Sequence, residues 1–278
     1  MAALTKGLIG KGEYGEVKVT TVAGVKFALK TTKLPEYPKH LETVMACLRE
    51  EAMTCSHPHI IKRIWCRFWR REFQLCMELA APVGRAPGKQ VLEEIGQALY
   101  FMHENGFIHR DVKPENIVRV GTKLKLIDFG LTRKGDGRSE MTSYMITRWY
   151  RPPEMLRICE DFDKMEYDGR CDMWSLALTA YHIQNGKPLF YGNAEQILSM
   201  YAKFKRVATG LFSHLLCEYE ERWTAKQMLE SHKIPLIEGT VTEVVPREGV
   251  VAQYVEKLLA GQEDDVAEIG YKGINKEL

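Results

Sequence analysis

His109-Arg110-Asp111-Val112-Lys113-Pro114-Glu115-Asn116, with Asp128-Phe129-Gly130 beginning twelve positions after Asn116, is the stretch that decides how this chain is read. It sets two carboxylates and a carboxamide on two loops separated by a hairpin-sized interval. Phosphoryl transfer asks for few protein groups: a carboxylate beside the attacking hydroxyl, oxygen ligands for Mg²⁺, and a cation on the phosphates. Asp111 suits the first role. Asn116 and Asp128 offer the hard oxygen atoms that Mg²⁺ takes, and Lys113 brings a positive charge to the transferring phosphate. A charged turn and an unrelated Asp-Phe-Gly turn are the plain alternative, and the residues upstream decide against it.

Ile9-Gly10-Lys11-Gly12-Glu13-Tyr14-Gly15-Glu16-Val17 carries G-x-G-x-x-G-x-V, and Val17-Lys18-Val19 continues it as a strand pattern. Glycines without a Cβ let a backbone close over a triphosphate and offer it N–H groups. A dinucleotide site would place a helix after the glycines. Here β-type residues follow instead, and the turn at Val22-Ala23-Gly24-Val25 leads into Lys26-Phe27-Ala28-Leu29-Lys30, which describes a strand-loop-strand flap.

Taken together, these segments resemble the eukaryotic protein kinase family, serine/threonine class, from about Ile9 to about Ile234. The resemblance implies an α+β, bilobal fold: a small mainly-β lobe over residues 1–79, a larger mainly-α lobe over 80–235, and a C-terminal tail over 236–278. It implies ATP and Mg²⁺ as cofactors. Phe27-Ala28-Leu29-Lys30 is similar to the family's V-A-I-K, with Ala28 against adenine and Lys30 reaching the α- and β-phosphates as a catalytic residue. The acidic partner of Lys30 belongs on a helix expected from Leu41 to Cys55, after the helix-breaking Pro35 and Pro38. Periodicity leaves both Glu50 and Glu51 open. In mitogen-activated kinases the pairing Glu directly follows an Arg, as Glu50 follows Arg49, and this resemblance selects Glu50 with Glu51 as the alternative. Phe73 to Ala80 reads as a buried strand entering the hinge. Met77 is then expected behind the adenine, the backbones of Glu78 and Ala80 bonded to it, and Ile9, Val17, Ala28 and Val118 as its apolar walls.

Past the hinge, Ala81-Pro82-Val83-Gly84-Arg85-Ala86-Pro87-Gly88 is turn-forming and passes almost directly into an amphipathic helix from Gln90 to Asn105. The helix that usually follows the hinge in the family is nearly absent. Further on, Thr142-Ser143-Tyr144-Met145-Ile146-Thr147-Arg148-Trp149-Tyr150-Arg151-Pro152-Pro153-Glu154 is similar to the activation segment of mitogen-activated kinases and shares its T-R-W-Y-R with cyclin-dependent kinases, the CMGC group. By that resemblance Thr142 and Tyr144 are regulatory phosphosites. Phosphate on Thr142 would meet Arg49, Arg110 and Arg133, and phosphate on Tyr144 would meet Arg148 and Arg151. Two structural contacts are also implied, Asp172 to the backbone of the loop holding Asp111 and an ion pair between Glu154 and Arg222. Protein substrates and an upstream activating kinase are the partners the family implies, and a catalytically dead scaffold of the same fold is the competing function.

Composition agrees. The 278 residues, 45% hydrophobic and 27% charged, suit one bilobal unit with a full core. A net charge of +2 gives no electrostatic case for nucleic acid or an acidic membrane as main partner. The basic, aromatic stretch from Arg63 to Arg71 is accounted for by a twisted, partly exposed strand pair. Seven cysteines without a C-x-x-C or a paired framework point to a reducing compartment, cytoplasmic or nuclear. The flap begins within ten residues of Met1, which leaves no room for a signal peptide, and no apolar run is long enough to span a bilayer. Residues after Pro235 depart from the family and are expected to form a tail packed on, or trailing from, the second lobe.

Overall fold

The computed structural model describes residues 4–12, 15–33, 41–53, 55–69, 72–134, 148–157, 168–241 and 268–270. The flap and the strand carrying Lys30 form three consecutive antiparallel strands, β1 (Leu4–Gly12), β2 (Gly15–Val22) and β3 (Val25–Lys33). The chain then makes α1 (Leu41–Ala52), β4 (Cys55–Ser56), β5 (Arg63–Trp69) and β6 (Glu72–Glu78), and β6 returns alongside β3. The helix expected to reach Cys55 stops at Ala52. Cys55 and Ser56 are drawn out as a strand by a partner far away in sequence.

Register places the binding face. Val17 and Leu75 lie opposite Lys30, and Val19 and Met77 lie opposite Ala28. Cross-strand neighbours, and residues two apart on one strand, share a sheet face, so Val17, Ala28, Lys30 and Met77 line one surface. Gly15 passes so close to β3 that a Cβ would sit 2.3 Å from the Thr31 carbonyl oxygen, which leaves room for glycine alone at the base of the flap.

The large lobe begins at β7 (Ala81–Pro82) and continues through α2 (Gly88–Glu104), β8 (Phe107–Ile108), β9 (Ile117–Val120), β10 (Lys123–Leu126) and β11 (Arg133–Lys134). No helix stands between β7 and α2, as the turn-forming composition requires. Val91, Ile95, Ala98, Leu99 and Met102 recur at helical spacing on α2 and are fully buried, the inward stripe of an amphipathic helix. Helices α3 (Pro153–Arg157), α4 (Arg170–Asn185), α5 (Ala194–Phe204), α6 (Leu211–Leu215) and α7 (Ala225–Ser231) complete the lobe. Every residue of α4 from Cys171 to Ala180 is buried, as befits a helix surrounded by others. Capping boxes start α5 (Asn193 with Gln196) and α7 (Thr224 with Gln227).

Beyond α7 the chain does not stay on the large lobe. β12 (Thr240–Val241) pairs antiparallel with β4, and β13 (Glu268–Gly270) adds to the free edge of β5, giving a sheet in the order β1-β2-β3-β6-β5-β13. Of the described part of this tail, residues 235–237 rest on α2 of the second lobe through Gln97, and the two strands then carry the chain to β4 and β5. The exposed backbone edges of β4 and β5 are partners that no local pattern announces. The sequence also carries a short helix-like pattern from Val250 to Leu259, which lies outside the described residues, and among the described residues no helix is long and apolar enough to cross a membrane.

Candidate active site

β3, α1 and the loop after β10 bring three charges together. The Lys30 ammonium donates to Glu50 Oε1 at 2.6 Å and to Asp128 Oδ1 at 3.2 Å. The structure therefore pairs Lys30 with Glu50, the first of the two acids left open by periodicity. Burial works against charge on all three groups, but two carboxylates around one cation hold the Lys30 pKa above its ordinary value. Burial dominates at Glu50, whose carboxyl is pushed up to about 7. At Asp128 the Lys30 charge, with hydrogen bonds from Glu50 and Lys30, overcomes burial and keeps the carboxyl well below the usual range.

The second cluster sits on the loop between β8 and β9. Asp111 Oδ2 is bound at 2.7 Å by the Lys113 ammonium and at 2.7 Å by the Asn116 amide, which also donates to the Asp111 carbonyl at 2.8 Å. Asp111 Oδ1 is buried and, among the described residues, has no hydrogen-bond partner. Burial raises the Asp111 pKa, with Lys113 opposing. The loop is held from below by Asp172, 1% exposed near the start of α4, which accepts from the backbone N–H of His109 and of Arg110, each at 2.8 Å. His103 on α2 adds a contact to Asp172 at 3.0 Å. Arg110 is forced to φ +69° and Asp128 to φ +64°, left-handed backbone that costs a non-glycine residue roughly 1–2 kcal/mol. Strain at these two positions coincides with the convergence of the candidate groups.

The hinge holds one feature the sequence reading missed. Glu78 was assigned only a backbone role, yet its carboxylate accepts from the Lys62 N–H at 2.7 Å and from the Lys125 ammonium at 2.5 Å, tying the hinge to β10. The alternation Lys123-Leu124-Lys125-Leu126 puts Lys125 opposite the buried leucines, but nothing in it names Glu78. Ala80 and Val118 are half-buried beside the hinge, with Val118 opposite Pro82. Ile9 is 51% exposed on the flap. Glu13, Tyr14, Thr142 and Tyr144 lie outside the described residues, as does the side chain of Lys11. The expected Glu154–Arg222 pair is present as a bidentate contact at 2.6 and 2.9 Å.

The residues fit a divalent cation. Asn116 spends its amide N–H on Asp111, which leaves its Oδ1 as an acceptor, and Asp128 adds a carboxylate. Among the described residues no three His, Cys, Asp or Glu side chains gather to hold a metal alone. Two oxygen donors completed by phosphate oxygens is the usual mode for Mg²⁺.

A family model, the protein kinase domain, matches residues 4–246. The chain belongs to the protein kinase family. This kinase is similar to a probable serine/threonine-protein kinase of Dictyostelium discoideum, 31% identical over 201 residues, covering 67% of this chain and 38% of that protein. It is also similar to cyclin-dependent kinase F-4 of Oryza sativa subsp. japonica (37% over 123 residues, 44% of this chain and 26% of that one). Mitogen-activated protein kinase 18 of Arabidopsis thaliana matches at 34% over 212 residues, 67% of this chain and 34% of its own. The likeness to the CMGC group drawn from the activation segment is thus borne out. The matched region spans well under half the length of each of these relatives.

Proposed function

We propose that this kinase transfers the γ-phosphate of ATP to serine or threonine hydroxyls of protein substrates. The observation that carries it is the buried, unpartnered Oδ1 of Asp111, on a carboxylate whose other oxygen is fixed by Lys113 and Asn116. Asp111 accepts the proton of the acceptor hydroxyl as the hydroxyl oxygen bonds to the γ-phosphorus and the bond to the β–γ bridging oxygen breaks. Its raised basicity suits that task. Lys113 orients Asp111 and reaches toward the transferring phosphate, while Lys30, steadied by Glu50, aligns the α- and β-phosphates. Asn116 and Asp128 would hold Mg²⁺, which neutralises charge on the phosphates when bound. Gly10, Gly12, Gly15 and Glu16 of the flap cover the phosphates, and the hinge and Met77 enclose adenine.

Asp111→Asn is expected to lower phosphate transfer by about 10²–10⁴-fold. Wild type and variant turning over equally slowly, measured as ADP release and phosphoserine formed, would instead support the non-catalytic scaffold. That scaffold is the weaker reading because Lys30, Glu50, Asp111, Asn116 and Asp128 are all present and arranged.

Phosphorylation of Thr142 and Tyr144 by an upstream kinase is part of the same proposal. Arg49 and Arg110 already reach the start of the activation segment, donating to the Gly130 carbonyl at 3.2 Å and the Leu131 carbonyl at 2.7 Å. A phosphate of about −1.5 to −2 charge would add charge-assisted bonds at such arginines. Thr142→Ala should lower activity more than Tyr144→Phe. Equal activity of phosphatase-treated and phosphorylated protein would contradict the switch.

A further inference from the structure

We propose that residues 235–241 form a strap that fixes the position of α1, and that Gln97, which fastens the strap, is a positioning residue for the Lys30–Glu50 pair. The inference builds on the phosphoryl-transfer reading. Gln97 is 3% exposed on α2, one helical turn before Phe101 and roughly opposite the Val91–Ile95–Met102 stripe. A buried amide needs partners for both ends. Among the described residues it finds them in the strap: Nε2 donates to the Pro235 carbonyl at 2.5 Å, and Oε1 accepts from the Ile237 N–H at 2.9 Å. The strap then crosses to the small lobe. Gly239 lies so close that a Cβ would be 2.7 Å from the Ser56 carbonyl oxygen and 2.8 Å from Phe101 Cε2. Thr240 pairs with Ser56 and Val241 with Cys55, and the His57 ring stacks on Phe101 with centroids 5.1 Å apart.

These contacts bear on Glu50 because the chain between them is short. The Met53 N–H bonds to the Arg49 carbonyl at 3.1 Å, which prolongs the last turn of α1, and Met53 is buried in the same core as Phe101. Two residues later Cys55 enters the pairing with the strap. The end of α1 that carries Glu50 is thereby clamped to α2 through a strap contributed from outside both helices, which pairs with β4 and is fastened by the buried Gln97 of α2. Without the clamp, α1 and Glu50 can leave Lys30, and the ammonium loses its alignment on the phosphates.

The test uses the full chain with Gly239→Val, which cannot sit against Ser56 and Phe101, and Gln97→Glu, which sets a carboxylate against the Pro235 carbonyl. Hydrogen exchange and steady-state kinetics are measured on both. Exchange across residues 41–52 is expected to quicken about tenfold while α4 is unchanged. kcat should fall about tenfold with KM for ATP within about twofold, because the alignment matters in the transition state. Unchanged exchange in residues 41–52 when 235–241 are released would overturn the proposal, and so would faster exchange spread equally through α4. A wild-type chain that transfers no phosphate would sink the phosphoryl-transfer reading, and the exchange data would still decide the strap.

Discussion

The loop around Asp111 and the cluster around Lys30 hold the same kinds of charge but are assembled in opposite ways. Asp111, Lys113 and Asn116 lie within six residues on one loop, and a single buried carboxylate, Asp172, supports that loop from below. Lys30, Glu50 and Asp128 come from three elements of two lobes, separated by 20 and 98 residues from Lys30. The first arrangement is set by local chain geometry and by anchors on α4, chiefly Asp172, with Thr179 donating to the Val112 carbonyl at 3.2 Å. The second exists only while α1 stays where the strap and the core hold it. In the proposed phosphoryl transfer, such a division would give a fixed site for the acceptor hydroxyl and an adjustable site for the nucleotide phosphates.

Removing the anchor should produce the largest effect. Asp172→Ala leaves the N–H groups of His109 and Arg110 unpaired and releases Arg110 from φ +69°. We expect a loss of about 3 kcal/mol in urea denaturation, with phosphate transfer falling even where the protein remains folded. A loss below about 1 kcal/mol would mean that the loop holds itself, and the contrast between the two regions would fail.

Acid should separate the two regions more gently. Burial, reinforced by the charge of His59, lowers the His57 pKa from 6.5 to about 4. Between those values the unfolded chain binds a proton at His57 that the folded chain does not. The stability contributed by neutral His57 is therefore complete above pH 6.5 and is lost as pH falls toward 4, about 3 kcal/mol in all. The Asp172 pKa is lowered from 3.8, so its contribution persists across that window and is lost only at lower pH. At pH 5 the loop following α1 should exchange faster while the Asp111 loop stays protected, and His57→Gln should flatten the difference.

How much of this was legible in the sequence follows the same division. Asp111, Asn116 and Asp128 were readable because their spacing within a short stretch already carries their geometry, and Lys30 was readable from the flap and the β3 register. Glu50 and Glu51 were not separable by pattern, since the helical period alone allows either of two adjacent positions to border an apolar face. The end of α1 at Ala52, the β4–β12 pair and the role of Gln97 were illegible for one physical reason. Their partners lie about 140 residues away or more, and an edge strand or a buried amide does not say which distant backbone will meet it. The Glu78–Lys125 contact belongs to the same class.

The central claim is that the Asp111 loop serves the acceptor and the Lys30 cluster serves the nucleotide. Calorimetric binding of ATP with and without Mg²⁺, to wild type, Asp111→Asn and Asp128→Asn, tests it most directly. Asp111→Asn should bind Mg·ATP within about threefold of wild type while losing transfer, because its carboxylate positions the hydroxyl. Asp128→Asn should bind at least about tenfold more weakly, and only when Mg²⁺ is present. Equal weakening by both substitutions, or none by Asp128→Asn, would contradict the division of labour between the two regions.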